Sequence, residues 1–277
     1  MRVYKFLDAK FGMKSLAEKR LKISTVDDLN DPFELLPFGI ADKTKRMAVN
    51  NARKIWGASH GMLCFSSDWS DPVIWAHYSD KHRGICLGFE IPDVYGTKVN
   101  YIDDRLPLPD RLQLGDATAW VITKFTNWSY EKEIRLFTTL KDQSDGLYFK
   151  EIGEDLNLVE VIVGARCKLT RSEILEALRP LNSVKLIKAR PGFRRFEIVE
   201  DQRGFSSDGG RPSIRKDAFG WGGWHTLNRL ETGDGRNVFP RSDDRGSNSA
   251  TISDKMIRKP PVCPPIQIPP DSCNSPC

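Results

Sequence analysis

The sequence predicts an α+β domain built on a mixed, largely antiparallel sheet with flanking helices. Three observations indicate this class. Strand-like and helix-like segments share residues 1–204, several strand-like segments have no helix between them, and neither common form of glycine-rich phosphate loop occurs. A chain of 277 residues can bury a sizeable core, and its 39% hydrophobic and 29% charged residues are typical of a globular protein.

The apolar pattern predicts the elements of the first hundred residues. Strands are expected at 3–7, 21–24, 62–65 and 85–91, where apolar residues alternate with polar ones or form short runs. Helices are expected at 9–19, 42–56 and 71–82, with Gly57 and Gly84 at the ends of the last two. Asn30–Glu34 predicts a further helix start, because Asp31 can cap it and Pro32 fits its first position.

The second half of the domain has more strands than helices. Strands are expected at 119–125, 134–140, 158–164, 184–189 and 196–199. Thr170 and Glu173 form a capping box that predicts a helix ending near Pro180. This order completes one domain over residues 1–204.

The composition changes near residue 204. Residues 205–277 hold 9 of the 17 prolines and 8 of the 21 glycines, and their apolar periodicity disappears. Such a segment buries too little apolar surface to offset its ordering entropy, so a disordered tail is expected. An out-of-frame extension is the further hypothesis for the same residues.

Charge, cysteines and hydropathy set bounds on partners and location. The formal charge of +5 is spread along the chain, so it permits contact with nucleic acid without arguing for it. No signal peptide or membrane span is indicated, and a cytoplasmic protein is expected. Cys64, Cys86 and Cys167 lie in apolar runs and are expected to be free thiols. No cysteine spacing predicts a metal site.

The stretch from Asp71 to Glu90 holds two of the four histidines beside two large aromatic residues. On a helix, Trp75, Tyr78 and His82 share one face, whereas His77 lies on another. One interpretation makes Trp75 and Tyr78 core residues. The other places Tyr78 and one histidine in a binding pocket, where tyrosine can stack and donate a hydrogen bond and histidine can titrate.

A second candidate site is the run from Trp128 to Arg135. In an extended strand, Glu131, Glu133 and Arg135 project from one face. Paired carboxylates suit a cationic transition state such as an oxocarbenium ion, although a surface strand with a salt bridge is the alternative. Asp31 and Glu34 are a third candidate, either as a helix cap or as groups facing the same pocket.

Taken together, these motifs resemble the bacterial domain of unknown function 2971 (DUF2971) family. The resemblance covers roughly residues 3–200. Its motifs are Tyr4-Lys5-Phe6, Asn30-Asp31-Pro32-Phe33-Glu34, Cys64-Phe65-Ser66, Trp75-Ala76-His77-Tyr78, His82 with Gly84, Trp128 with Tyr130-Glu131-Lys132-Glu133 and Arg135, and Ile162-Val163-Gly164.

The order of motifs is also distantly similar to ADP-ribosyltransferase folds, whose sheet is split. That likeness implies a basic residue on the first strand (Arg2 or Lys5), then Ser66 or Tyr78, then Glu131 and Glu133. It implies NAD as a substrate and no permanently bound cofactor, with protein or nucleic acid as acceptor in a defence or toxin system. Glu133 would stabilise the ribose cation, Glu131 orient the acceptor, Tyr78 stack on nicotinamide and Ser66 support Glu133.

Two other functions stay open at the level of sequence. A non-enzymatic sensor or binding module would use Trp75, His77, Tyr78 and Arg135 as a recognition pocket. A metal-dependent nuclease would use acidic residues, namely Asp103, Asp104, Glu131 and Glu133. The substrate-binding residues expected in total are Lys5, Asp31, Glu34, Ser66, Trp75, His77, His82 and Arg135, beside the catalytic candidates Glu133, Glu131 and Tyr78.

Overall fold

The computed structural model of the chain describes residues 1–109, 119–181 and 183–205. The predicted tail, 205–277, lies outside the described residues except for Phe205. The main helices are α1 (Ala9–Glu18), α2 (Lys43–Ser59), α3 (Pro72–Tyr78) and α4 (Arg171–Leu178), and residues 119–122 are also helical. The strands are β1 (Arg2–Leu7), β2 (Arg20–Lys22), β3 (Phe38–Gly39), β4 (His60–Ser66), β5 (Ile85–Glu90), β6 (Thr97–Lys98), β7 (Asn100–Ile102), β8 (Leu106–Pro107), β9 (Thr123–Phe125), β10 (Glu133–Thr139), β11 (Phe149–Glu151), β12 (Asn157–Val163), β13 (Lys185–Pro191) and β14 (Ile198–Glu200).

Eight of these strands form one mixed sheet, in the order β14-β13-β12-β5-β1-β4-β10-β6. Only β12 and β13 pair in parallel within it, and the remaining neighbours are antiparallel. The predicted α+β class with a largely antiparallel sheet is confirmed. None of the helices in the described ranges is both long and apolar enough to cross a lipid bilayer.

The two faces of the sheet have different roles. Leu16 of α1 and Ile174 of α4 pack with Val3, Leu87 and Val161 on one face, here the α1 face. Burying side chains of this size contributes about 1.5–3 kcal/mol each, so this face carries much of the hydrophobic stabilisation. The opposite face, the α3 face, combines a smaller apolar cluster with the polar residues of the candidate site.

The sheet has a seam between β1 and β4. Both strands are fully described, yet a single residue pair, Tyr4 with Ser66, joins them, whereas six pairs join β1 to β5. Beyond that pair the two strands form no further residue pairs, so backbone groups at the seam can form hydrogen bonds with side chains instead. Lys5 supplies one such contact, and its Nζ donates to the carbonyl of Cys64 at 3.0 Å.

The helix predicted at 71–82 is shorter in the structure. Asp71 caps it and Pro72 opens it as expected, but α3 ends at Tyr78. Asp80, Lys81 and His82 then adopt left-handed backbone angles, with φ from 42° to 70°. Trp75 and Tyr78 lie three residues apart on α3 as predicted, but the prediction that His82 belongs to the same helical face was wrong.

Close packing after the turn requires glycine at position 84. A Cβ at Gly84 would lie 2.0 Å from the carbonyl oxygen of Leu7, so only glycine lets the chain approach the end of β1. The amide of Gly84 donates to the carbonyl of Ser79. The prediction that Gly84 ends the helix was wrong, because α3 ends six residues earlier, at Tyr78.

Three other predicted elements were also wrong in part. Asn30–Glu34 forms a hydrogen-bonded turn, and Leu35 leaves it with a φ of 57°, which is incompatible with a continuing helix. Residues 119–122 are helical, so only β9 remains of the predicted strand. The α2 helix continues past Gly57 to Ser59.

Candidate functional site

A row of residues crosses the α3 face of the sheet at the seam. Tyr4 of β1 pairs with Ser66 of β4, and Ser66 pairs with Glu133 of β10. Directly opposed residues on antiparallel strands have Cβ atoms about 4.5–5.5 Å apart. On the other side of Tyr4 the row continues to Gly88 and Glu160. The row therefore crosses five adjacent strands. Four of them contribute a polar side chain, and the fifth contributes Gly88, which leaves space beside Tyr4 and Glu160.

A buried ionic cluster lies at the β10 end of this row. It comprises Glu34, Lys124, Glu131, Glu133 and Arg135, each at most 7% exposed. The Lys124 ammonium lies 2.6 Å from Glu131, 3.1 Å from Glu133 and 3.2 Å from Glu34. Ion pairs removed from water in this way are stable only when nearly every polar group is satisfied.

Arg135 binds two of the three carboxylates of the cluster. Its Nη2 donates to both carboxylate oxygens of Glu34 at 2.8 and 2.9 Å, and its Nε donates to Glu133 at 2.9 Å. A further donation to the carbonyl of Val121 at 2.6 Å fixes the guanidinium plane. Arg135 is completely buried, so it positions acids and cannot itself contact a ligand.

Glu131 and Glu133 converge by a route that differs from the predicted extended strand. Glu131 ends a 3₁₀ helix, Thr126–Glu131, and Glu133 begins β10. Between them Lys132 has a φ of 45°, which turns the chain through the left-handed region. The extended arrangement was wrong for Glu131, whereas Glu133 and Arg135 share one face of β10 as predicted. The turn at Lys132 still brings both carboxylates onto the ammonium of Lys124.

The two glutamates have opposite pKa shifts. Burial alone would raise the pKa of Glu133, but the charges of Arg135 and Lys124 outweigh it and hold the pKa at about 2. For Glu131, burial dominates over Lys124 and the hydrogen bonds, and its pKa is raised. With every group ionised, three carboxylates face two cations, which leaves one surplus negative charge.

Tyr78 connects α3 to the cluster. Its hydroxyl donates to Glu131 Oε1 and accepts from the amide of Asn30 at 3.0 Å. Burial, followed by the charge of Glu131, raises the pKa of Tyr78 strongly, so the hydroxyl keeps its proton at neutral pH. Tyr78 therefore acts as a fixed hydrogen-bond donor at the wall of the site.

A cleft of about 230 Å³ runs along the seam above the cluster. Ser66, whose Oγ accepts from the amide of Asp68, lies within its lining. The structure thus brings together several of the predicted residues that sequence separated widely. The polar lining residues are Tyr4, Lys5, Ser24, Asp28, Asn30, Glu34, Ser66, Tyr78, Lys124, Glu131 and Glu133.

His77 lies beside the site and is exposed. Its Nδ1 is 2.8 Å from the hydroxyl of Tyr130, and the Tyr130 ring is tilted against Trp128. The Lys124 ammonium lies 4.9 Å from the centre of the Trp128 ring. An aromatic group therefore links His77 to the cluster.

Three predicted residues lie elsewhere. Trp75 is completely buried, and its indole N–H donates to the carbonyl of Trp69, so it is a core residue. The His82 ring stacks parallel to that of Trp75, with centroids 6.3 Å apart, and does not line the cleft. Asp31 caps its turn by accepting from the amide of Phe33, and it borders an adjoining cavity of about 250 Å³.

The described residues contain no group of three or more His, Cys, Asp or Glu side chains arranged to hold a metal ion. The ammonium of Lys124 lies between the three carboxylates of the cluster. Asp103 and Asp104 line the adjoining cavity, so the four acids of the nuclease hypothesis do not converge.

Sequence reasoning missed Lys124, Asn30 and Tyr4. Lys124 lies in a predicted strand of otherwise apolar character, and a lone lysine there is the signal that could have been used. Comparisons with protein-family models, curated proteins and solved structures returned no match. The likeness to the DUF2971 family and to ADP-ribosyltransferase folds stays a prediction.

Proposed function

We propose that the seam cleft binds NAD and transfers its ADP-ribose group to a protein or nucleic-acid acceptor. One observation carries the proposal: Tyr78, Glu131 and Glu133 share a cleft with Ser66, and Ser66 pairs with Glu133 in the row across the sheet. The distant likeness to ADP-ribosyltransferase folds implies the same combination, in which a serine supports the second of two late glutamates. Lys5, its basic candidate on the first strand, lines the same cleft.

The electrostatics of the cluster favour a cationic intermediate. As the bond between ribose C1′ and nicotinamide breaks, its electron pair leaves with the nicotinamide and C1′ becomes positive. A carboxylate with a pKa of about 2, Glu133, stays ionised near neutral pH and can stabilise that charge. The surplus negative charge of the buried cluster acts in the same direction.

Glu131 is suited to the second half of the reaction. The lone pair of the acceptor forms the new bond to C1′, and the acceptor loses a proton. Glu131, whose pKa burial raises, accepts that proton more readily than Glu133 does. Tyr78 holds the Glu131 carboxylate in place through its hydroxyl.

The test is release of nicotinamide from NAD by the full chain, measured chromatographically with a mixed protein and oligonucleotide acceptor. We expect Glu133→Gln to lower the rate by about a hundredfold or more. Glu176→Gln, at an exposed position on α4, is the matched control. Thermal melting of both variants identifies any loss of folding.

Two results would overturn the proposal. One is the absence of nicotinamide release by the wild-type chain under all acceptor conditions. The other is an unchanged rate in a folded Glu133→Gln variant, with Tyr78→Phe as the milder second variant should the first fail to fold.

A binding module without catalysis is the second candidate. This candidate is favoured because the Glu133 carboxylate already accepts hydrogen bonds from Arg135 and Lys124. Isothermal titration with NAD separates the two candidates. Heat of binding without nicotinamide release, retained in Glu133→Gln, is the result expected for a binding module.

A further inference from the structure

The hairpin that joins β13 to β14 has an unusual tip. The strands end at the pair Pro191 and Ile198, and the amide of Gly192 extends the ladder by donating to Glu197 at 2.7 Å. Four residues remain beyond that bond: Phe193, Arg194, Arg195 and Phe196. Turn tips are usually built from Gly, Asn, Asp, Pro or Ser, so four large side chains call for another explanation.

Both phenylalanines project away from the domain. Phe193 is 87% exposed and Phe196 is completely exposed, the two most exposed large apolar side chains of the described residues. Neither belongs to a core cluster. The rings therefore take no part in the core, and apart from the face of Phe193 that Arg190 covers they are available for stacking.

The tip is also a local concentration of positive charge. Arg190 stacks its guanidinium 4.1 Å from the centre of the Phe193 ring. No ion pair of Arg194 or Arg195 occurs among the described residues. With Glu197 as the acid at the base, the tip carries three positive charges against one negative.

We propose that this tip binds single-stranded nucleic acid, independently of the function of the seam cleft. Unpaired bases stack on exposed aromatic rings whatever their sequence, and arginine contacts phosphate through two parallel hydrogen bonds. Two rings that flank two guanidinium groups can stack on bases while the guanidinium groups contact the phosphates between them. A lipid surface fits less well, because two rings among three arginines present little continuous apolar area.

The base of the hairpin is anchored to the α3 face. The amide of Ile198 donates to the carbonyl of Ser70 at 2.7 Å, in the segment between Ser66 and α3. Ile198 also packs in the cluster that Tyr78 and Tyr130 contact. These contacts fix the base of the hairpin and leave the tip free to bind.

The test is fluorescence anisotropy of a labelled oligothymidine of about 20 nucleotides with the full chain, at about 50 and about 200 mM salt. We expect Phe193→Ala with Phe196→Ala to weaken binding by about tenfold or more, since stacking accounts for much of the affinity. Arg194→Ala with Arg195→Ala should lower the slope of log affinity against log salt by about 1.4, or 0.7 for each phosphate contact.

Matched controls remove equivalent groups elsewhere. Met47→Ala with Ile55→Ala removes two exposed apolar side chains from α2, and Lys43→Ala with Lys45→Ala removes two exposed charges. Both should bind as the wild type does. Absence of binding at low salt, or equal effects of tip and control variants, would overturn the proposal. So would phenylalanine-dependent binding to vesicles of phosphatidylcholine with phosphatidylserine in place of the oligonucleotide.

Discussion

Replacing Lys124 with methionine tests whether the buried cluster is organised around that ammonium. The substitution keeps an unbranched side chain of similar length but removes the positive charge. Three carboxylates then face only Arg135, and the surplus rises from one negative charge to two. Removing one partner of a buried ion pair typically costs about 3–5 kcal/mol.

The loss of stability in Lys124→Met should depend on pH, and the direction of that dependence follows from the pKa of Glu131. Burial already raises the pKa of this group, and Lys124 opposes the rise, so the variant has a still higher pKa. A carboxyl whose folded pKa exceeds its unfolded pKa stabilises the protein at low pH, and that stabilisation is lost as the pH rises through the folded value. The variant should therefore be least stable at alkaline pH.

Urea unfolding followed by tryptophan fluorescence at about pH 5 and about pH 8 measures both effects. We expect the free energy of unfolding to fall by about 3–5 kcal/mol at the higher pH and by clearly less at the lower. Lys14→Met removes a lysine that is 53% exposed and paired with Glu18, and it should change little at either pH.

A double variant sharpens the result. In Lys124→Met combined with Glu131→Gln, the surplus returns to one negative charge, as in the wild type. The double variant should therefore recover part of the lost stability, and its stability should change less between the two pH values than that of Lys124→Met. A loss below about 1 kcal/mol at both pH values, in the range of an exposed ion pair, would refute the assignment of Lys124 as the centre of the cluster. An equal loss at both pH values would refute the role given to Glu131.

Three further predictions concern other contacts. Gly84→Ala should lower the free energy of unfolding by about 3 kcal/mol or more, because its Cβ meets a backbone carbonyl, whereas Gly153→Ala, with open space around it, should be nearly neutral in the same urea titration. Tyr78→Phe should raise the pKa of Glu131 further, since a hydrogen bond to the ionised form is lost, as a carbon-13 titration of the labelled carboxyl would show. Cys86, whose thiol pKa burial raises, should resist iodoacetamide at about pH 8 until urea unfolds the chain, as peptide mass spectrometry would record.

Each of these has a result that contradicts it. Equal stability of the two alanine variants would mean that the contact at Gly84 relaxes freely. An unchanged or lower pKa of Glu131 would remove Tyr78 from its hydrogen-bond partners. Labelling of Cys86 in the native state at the rate of an unfolded chain would show that its strand opens readily.

The sequence predicted the sheet better than the turns. Short apolar runs such as Ile85–Glu90 and Asn157–Val163 become buried strands because side-chain alternation is local and needs no knowledge of partners. The turns depend on distant contacts as well. The carbonyl of Leu7, which excludes a Cβ at Gly84, lies more than seventy residues away, and no local pattern signals it.

The candidate site was predicted in part for the same reason. Glu131, Glu133 and Tyr78 could be chosen by chemistry alone, and they do lie in one cleft. Trp75 was assigned a pocket role because aromatic density looks alike in a core and in a binding site, and only burial separates them. Lys124 was missed because its partners come from segments as distant as Glu34, and the lone lysine in an apolar run was its single local signal.

The seam between β1 and β4 also bears on how the chain folds. Strands β1, β5, β12, β13 and β14 lie on one side of it, and β4, β6 and β10 on the other. In chain order the described strands therefore pass from side to side four times, and neither side is a continuous stretch of sequence. Forming contacts between such distant segments costs the entropy of closing long loops before those contacts stabilise the chain. This cost slows folding to the range of milliseconds to seconds that is typical of non-local sheets. Neither side of the sheet can be cut out as an independently folding fragment, and the turns that cross the seam must form together with both.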